Sequence, residues 1–336
     1  MSGTRSTLHR RLSCFVEWLA PDKDKEDEIR KQADSIRKRI SGQAKEDGLT
    51  VRSTPQAGSF AKRTGLRRHM AGDSEVEGLD VDLPFVVSPT DEDGEQLESL
   101  LDRFETYARK TYPDTKRKRT KSSIELYFTG TRRRYDLVPM LASEDPDKQI
   151  IIRANGDRIE TSVQKHVEFV RERTRTSNEL EGRVKFNECI RLIKWWRLFR
   201  EKDSDLEIPS FILALLCADA YDQQSVKETY GDTLAAWYSR MAHVVRKRKR
   251  VAFGDFVLIP AADPDARWEV LDPVTPDNNV VARWAGYEIE EFAEWLEHAR
   301  DVWPRAIRCD QDGDDSGSLQ HLIELFGNPI KHHCGD

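Results

Sequence analysis

Two aspartates stand one residue apart in "LDVDLPFVV", residues 79–87, a run whose other members are apolar and suited to a strand. In a strand, residues i and i+2 project to the same side, so Asp80 and Asp82 point together while Leu79, Val81 and Leu83 pack on the other face. Adjacent carboxylates repel, and burying them unpaired is costly, so the pair needs water or a cation. A hard divalent ion such as Mg²⁺ accepts one or two carboxylates together with substrate phosphate oxygens. A third acid, Asp136, sits alone in the strand-like run "RRYDLVPM". If its strand lies beside the first, the three carboxylates converge and can hold two Mg²⁺ ions for in-line phosphoryl or nucleotidyl transfer. The competing reading is an ion pair with Arg132, Arg133 or Arg134, and for Asp136 taken singly that reading is favoured.

Upstream, "GSF" at residues 58–60 is read as ending a strand, before "AKRTGL". Gly58 is free to adopt unusual dihedrals, which lets backbone N–H groups and the Ser59 hydroxyl approach a phosphate. A Gly-Ser pair alone is an ordinary turn. Its meaning comes from the order strand, Gly-Ser, helix, D-x-D, and a second strand carrying an Asp.

The elements that must position these groups follow from periodicity. From Leu8 to about Ala44, Ile29, Ala33, Ile36 and Ile40 recur at helical spacing, giving one or two helices interrupted near Pro21. From Thr50 to Ile159 the character is strand-like: "LDVDLPFVV", "SIELYFTG", "RRYDLVPM" and "KQIIIRANGDRIE", with "NGD" as a turn and a helix over 94–112. After Ser162 the pattern is helical. "KFNECIRLIKWWRLFR" sets Cys189, Ile190, Ile193, Trp196 and Phe199 on one stripe, and further helices are expected over 209–222, 225–245 and 286–302. The expected division is a mixed α/β domain over 1–162 and a helical domain over 163–336.

Composition bounds the class. With 336 residues, 38% of them hydrophobic and 34% charged, the chain can bury two cores of ordinary size. The longest apolar run, "FILALLCA" (211–218), is too short to span a bilayer, and the first residues lack a signal-peptide core, so a cytoplasmic protein without membrane contact is expected. Five cysteines, odd in number and without a C-x-x-C pair, read as reduced thiols. Net charge is −6, yet bases cluster at 116–121, 132–134 and 246–250, as suits local phosphate handling or, equally, solvated loops. P-loop and Rossmann glycine patterns are absent. His166-x-Glu168 has no following P-C-x-x-C and reads as helix surface. His321, His332, His333 and Cys334 with Cys309 match no familiar zinc spacing, and no zinc is expected there.

The order Gly58-Ser59, Asp80-Val81-Asp82, Asp136 resembles the signature of the DNA polymerase β-like nucleotidyltransferase superfamily, with "RRHMAGDSEVEG" as an inserted loop. The second half, "NECIRLIKWWR", "IPSFILALL", "LDPVTPDNNVV" and "FAEWLEHARD", is similar to the helical domain of oligoadenylate synthetases and of the bacterial cyclic-GMP-AMP-synthase/DncV-like nucleotidyltransferases, the CD-NTases. That resemblance covers roughly 50–305. It implies an α+β fold: a polymerase β-like core of mixed sheet with flanking helices and an N-terminal spine helix, followed by an oligoadenylate-synthetase-type helical domain.

The same resemblance implies a Mg²⁺-dependent enzyme, with Mn²⁺ as a substitute ion, that condenses NTPs (ATP, with GTP or UTP as further candidates) into a cyclic di- or trinucleotide in antiphage CBASS signalling. By it, Asp80, Asp82 and Asp136 hold two metals, and Gly58, Ser59, Lys194 and Ser210 hold the donor triphosphate. Lys194 lies with Asn187, Arg191 and Leu198 beside the apolar stripe, where its ammonium can reach a cleft, and a solvated lysine is the alternative. Ser210 reads equally as an N-cap of the "FILALL" helix. Asp272, with two asparagines after it, is a candidate for reading a base edge or for capping. A monomer with a regulatory partner or phage-derived activator is expected. Two rivals stay open: a linear nucleotidyltransferase acting on RNA or protein, with 116–121 and 246–250 as substrate tracks, and an inactive nucleotide- or nucleic-acid-binding module.

Overall fold

The structure, a computed structural model, describes residues 6–67, 69–71, 74–76, 80–88, 97–152, 158–180 and 184–335. The chain forms two compact units, one of residues 21–168 and one that joins residues 1–20 to 169–336.

In the first unit, helix α2 (Lys23–Glu46) precedes strand β1 (Val51–Ser53) and a single turn, α3 (Gly58–Ala61). Strands β2 (His69–Ala71) and β3 (Ser74–Val76), within the segment expected as an inserted loop, pair antiparallel. Then follow β4 (Asp80–Val87), α4 (Leu97–Thr111), β5 (Lys116–Arg119), β6 (Ile124–Phe128), β7 (Arg133–Ala142), β8 (Gln149–Ile152) and β9 (Arg158–Thr161). The expected "NGD" turn lies at 155–157, outside the described residues.

The main sheet runs β1-β4-β7-β6-β5, with β8 on the far end of β7 and β9 on β8. Among the described strands of this sheet, β4 and β7 are the one parallel pair. Alternation sorts the two faces. Val81, Leu83, Phe85, Ile124, Leu126, Tyr135 and Leu137 are buried in one core with Ile29, Ala33, Ile36 and Ile40 of α2 and Leu100, Phe104 and Tyr107 of α4. Burying each such side chain stabilises by about 1.5–3 kcal/mol. The opposite face is left to the alternate residues, among them Asp82 and Asp136. Hydrogen bonds lock α2 in place: Tyr135 donates to Gln32 Oε1 at 2.9 Å, and Tyr107 to Asp47 Oδ2 at 2.6 Å.

The second unit contains α1 (Thr7–Leu19), most of α5 (Val163–Leu180), α6 (Phe186–Glu201), α7 (Ser210–Gln224), α8 (Tyr230–Arg246), α9 (Gly286–Gln311), α10 (Asp315–Phe326) and α11 (Asn328–Cys334). Helix α1 belongs here rather than with the N-terminal half to which the sequence reading joined it. Its stripe Leu8, Leu12, Phe15, Val16 and Leu19 is buried, with the Phe15 ring 5.6 Å from those of Trp195 and Phe326. Arg11 donates to the carbonyls of Asp315 (2.8 Å) and Gly335 (3.2 Å). Cys14 and Cys334 form a disulfide across a separation of 320 residues. This corrects the expectation of five reduced thiols: spacing along the chain carries no information about two helices, one near each end of the sequence, that pack against each other. Cys189, Cys217 and Cys309 are free. In the tail, His333 stacks on Trp18 at 4.2 Å. Among the described residues no helix is long and apolar enough to cross a membrane.

Candidate active site

Gly58 opens α3 with φ +69°, in the left-handed region that glycine tolerates best. It also lies directly against β4: a Cβ built there would fall 1.8 Å from Asp82 Oδ2 and 2.8 Å from Asp82 Cγ. Backbone conformation and packing therefore both demand glycine. The turn that follows is held by the Thr64 amide donating to the Ser59 carbonyl at 2.9 Å, with Thr64 itself buried.

Asp80 and Asp82 occupy alternate positions of β4, and the parallel pairing sets Asp80 opposite Arg134 and Asp82 opposite Asp136. Cross-strand partners share a face, so the Asp82 and Asp136 side chains stand on neighbouring strands about 4.8 Å apart, on the side away from the core. Asp136 accepts a hydrogen bond from Ser123 Oγ at 3.2 Å, and Ser123 is in turn held by Thr120 Oγ1 at 2.8 Å. Of the neighbouring arginines, Arg133 pairs with Glu28 at 2.7 Å and Arg134 stands 3.8 Å from Glu125. Glu125 is a residue the sequence reading passed over. It is the β6 partner of Asp136, and its only signal in the sequence was a polar residue alternating with Ile124 and Leu126.

The remaining candidates lie in the helical unit. Lys194 on α6 is 7% exposed, so the solvated alternative does not hold. Its ammonium is near enough to Cys217 on α7 to oppose the strong upward push that burial gives that thiol. Asn187, one of its stripe mates, is buried as well. Ser210 is the first residue of α7; the cap position is Pro209, without a side-chain capping bond, so Ser210 is not the cap. Asp272 is 5% exposed and its carboxylate closes a turn: Oδ1 accepts from the amides of Val274 (2.8 Å) and Thr275 (3.1 Å), and Asn278 Nδ2 stands 3.4 Å from Oδ2. The basic run at 246–250 is largely compensated. Arg246 pairs with Glu290 and, at 2.5 Å, with Glu297; Arg248 pairs with Glu290 at 3.0 Å and Arg250 with Glu269 at 3.1 Å. Of the run at 116–121, Lys116–Arg119 form edge strand β5.

A mixed sheet backed by two helices, with a glycine turn set against an aspartate strand and a third acid in register beside it, together with a helical unit, defines a protein of the polymerase β-like nucleotidyltransferase fold. Residues 7–174 match the model of the Second Messenger Oligonucleotide or Dinucleotide Synthetase domain. The chain belongs to that family, the bacterial CD-NTases. Among its relatives is a CBASS oligonucleotide cyclase, CdnC, of Escherichia coli strain KTE188, 28% identical over 326 residues covering 92% of each chain. A cyclic AMP-AMP-AMP synthase of E. coli strain MS 115-1 is 26% identical over 309 residues, covering 89% of this chain and 91% of the relative. The solved structure of E. coli MS115-1 CdnC in complex with HORMA-deltaN superimposes with a TM-score of 0.77 at 25% identity, covering 95% of this chain and 96% of that one.

Proposed function

We propose that this chain condenses NTPs into a cyclic di- or trinucleotide second messenger in CBASS antiphage signalling, releasing pyrophosphate at each joining step. The observation that carries the reading is the register of Asp82 with Asp136 beside a glycine turn packed on Asp82. The Asp82 and Asp136 carboxylates on adjacent strands are hard oxygen donors of the kind Mg²⁺ accepts, with Mn²⁺ as a substitute, and Asp80 is the proposed third ligand. Bound there, the ions would neutralise charge on the triphosphate and lower the pKa of an attacking hydroxyl.

The chain's own residues do the positioning. Ser59 and the backbone that begins at Gly58 hold the donor phosphates on the β4 side, and the family resemblance adds Lys194 and Ser210 as candidate triphosphate contacts. Asp136, which accepts from Ser123, assists the attacking ribose hydroxyl in this reading. Asp272 stabilises the turn over 272–278, which lets neighbouring groups face a base. The expected substrates are ATP with GTP or UTP, and the expected setting is the cytoplasm, where these are made. A regulatory protein partner is proposed by analogy with the HORMA complex of the E. coli relative. The RNA-track alternative is weakened by the ion pairs that occupy Arg246, Arg248 and Arg250.

Incubation with labelled NTPs and Mg²⁺ tests the reading. A phosphatase-resistant product, absent with Asp82→Asn, is expected; a linear, phosphatase-sensitive product would favour the rival enzyme. Absence of any joined product from every NTP mixture, with the candidate activator present, would overturn the proposal.

A further inference from the structure

The row that carries Asp82 and Asp136 continues across the sheet. Glu125 on β6 is the partner of Asp136, and Lys118 on β5 is the partner of Glu125. Two residues along each strand, Arg134, Tyr127 and Lys116 are partners in the same order. Residues two apart in a strand share a face, so Glu125, Tyr127, Lys116 and Lys118 stand on the side that bears the acids while Ile124 and Leu126 enter the core. The Arg134 guanidinium lies 5.7 Å from the centre of the Tyr127 ring and 3.8 Å from Glu125, whose side chain is 20% exposed. An aromatic face, a guanidinium plane and a carboxylate held by that guanidinium form a set that suits a nucleobase: the ring stacks and the carboxylate accepts from an edge N–H.

Position in the sheet says which base. Gly58 packs on β4, so the donor triphosphate belongs at the β4 side of Asp136. Glu125 lies one strand beyond Asp136 on the opposite side, where the nucleotide that supplies the attacking hydroxyl must sit. Resting on the nucleotidyltransferase reading above, we infer that Glu125 selects the acceptor nucleotide by its base. Its carboxylate accepts a hydrogen bond from an amino group of adenine, cytosine or guanine, with Tyr127 and Arg134 as the stacking surface. Uracil has no amino group and flanks its one N–H with carbonyl oxygens, whose lone pairs oppose a carboxylate.

The test offers equal ATP, CTP, GTP and UTP and sequences the linear intermediate by mass spectrometry; the acceptor is the nucleotide that retains its 5′-triphosphate. Glu125→Gln replaces one acceptor oxygen by an amide N–H₂ able to donate to uracil, so the ratio of amino-bearing bases to uracil at the acceptor position should fall by about 10-fold or more. Tyr127→Ala should raise the acceptor KM for all bases without moving that ratio, and Tyr127→Phe should behave as wild type. A uniform slowing by Glu125→Gln, with the ratio within twofold of wild type, would overturn the inference and leave the enzyme assignment standing. A wild-type chain that joins no nucleotides would remove both.

Discussion

Gly58 and Asp82 touch so closely that the glycine hydrogen occupies the only space between the α3 turn and the Asp82 carboxylate; a methyl group there would lie 1.8 Å from Oδ2. The α3 turn and the strand that carries Asp82 are thus packed directly together.

Substituting Gly58 by Ala should therefore act on chemistry more than on folding. The methyl must displace the Asp82 carboxylate, and a non-glycine residue at φ +69° adds strain of about 1 kcal/mol. Pyrophosphate release is expected to fall by about 100-fold or more, because misplacing a reacting group by an ångström has that effect. Circular dichroism should stay native, and an active Gly58→Ala enzyme would show that Asp82 is not held where it is needed.

Breaking the Cys14–Cys334 disulfide should loosen α1 and α11 without touching the acid row. Cross-links of this kind typically stabilise by about 2–4 kcal/mol, more for long loops. Cys14→Ser, or dithiothreitol on the wild type, should lower the melting temperature to the same new value. A reductant-insensitive melt would mean the bond is not formed in solution.

Arg173 on α5 is 8% exposed at its side chain and bridges Asp222 (2.7 Å) on α7 and Asp255 (3.0 Å), with its guanidinium 4.0 Å over Phe169. Burial raises the Asp222 carboxyl pKa against the pull of Arg173. Arg173→Met would leave two half-buried carboxylates facing each other, destabilising the helical unit by about 2–3 kcal/mol. Urea denaturation measures this, and adding Asp222→Asn and Asp255→Asn should restore most of the loss.

His298 on α9 gives a pH dependence. Its Nδ1 lies 2.7 Å from Arg200 Nη2, and its Nε2 lies 3.0 Å from Glu324. Arginine can only donate, so the ring is neutral, accepting at Nδ1 and donating from Nε2. Burial, then the Arg200 charge, hold its pKa below the usual 6.5. A base whose folded pKa is depressed contributes stability that is present above its unfolded value and lost as pH falls through the folded one. Urea midpoints should accordingly decline below about pH 6.5, and His298→Gln should flatten that decline; an unchanged slope would assign the acid sensitivity to other groups.

Alternation made the strand that carries Asp80 and Asp82 legible, and helical spacing marked Ile29, Ala33, Ile36 and Ile40 as a buried stripe, because both patterns repeat over a few residues of one element. The order of Gly-Ser, D-x-D and a later Asp likewise carried the family. Which strand lies beside which is a different kind of fact. That β7 pairs in parallel with β4, with Asp136 opposite Asp82, depends on a sheet order that skips β5 and β6 in the chain and is set by how the apolar faces of the strands are covered by α2 and α4. The same register brought Glu125 into the acid row, and the return of α11 onto α1 brought Cys14 to Cys334 across 320 residues. Local periodicity determines which way a side chain faces; only the packing of distant segments against a shared core decides what it faces.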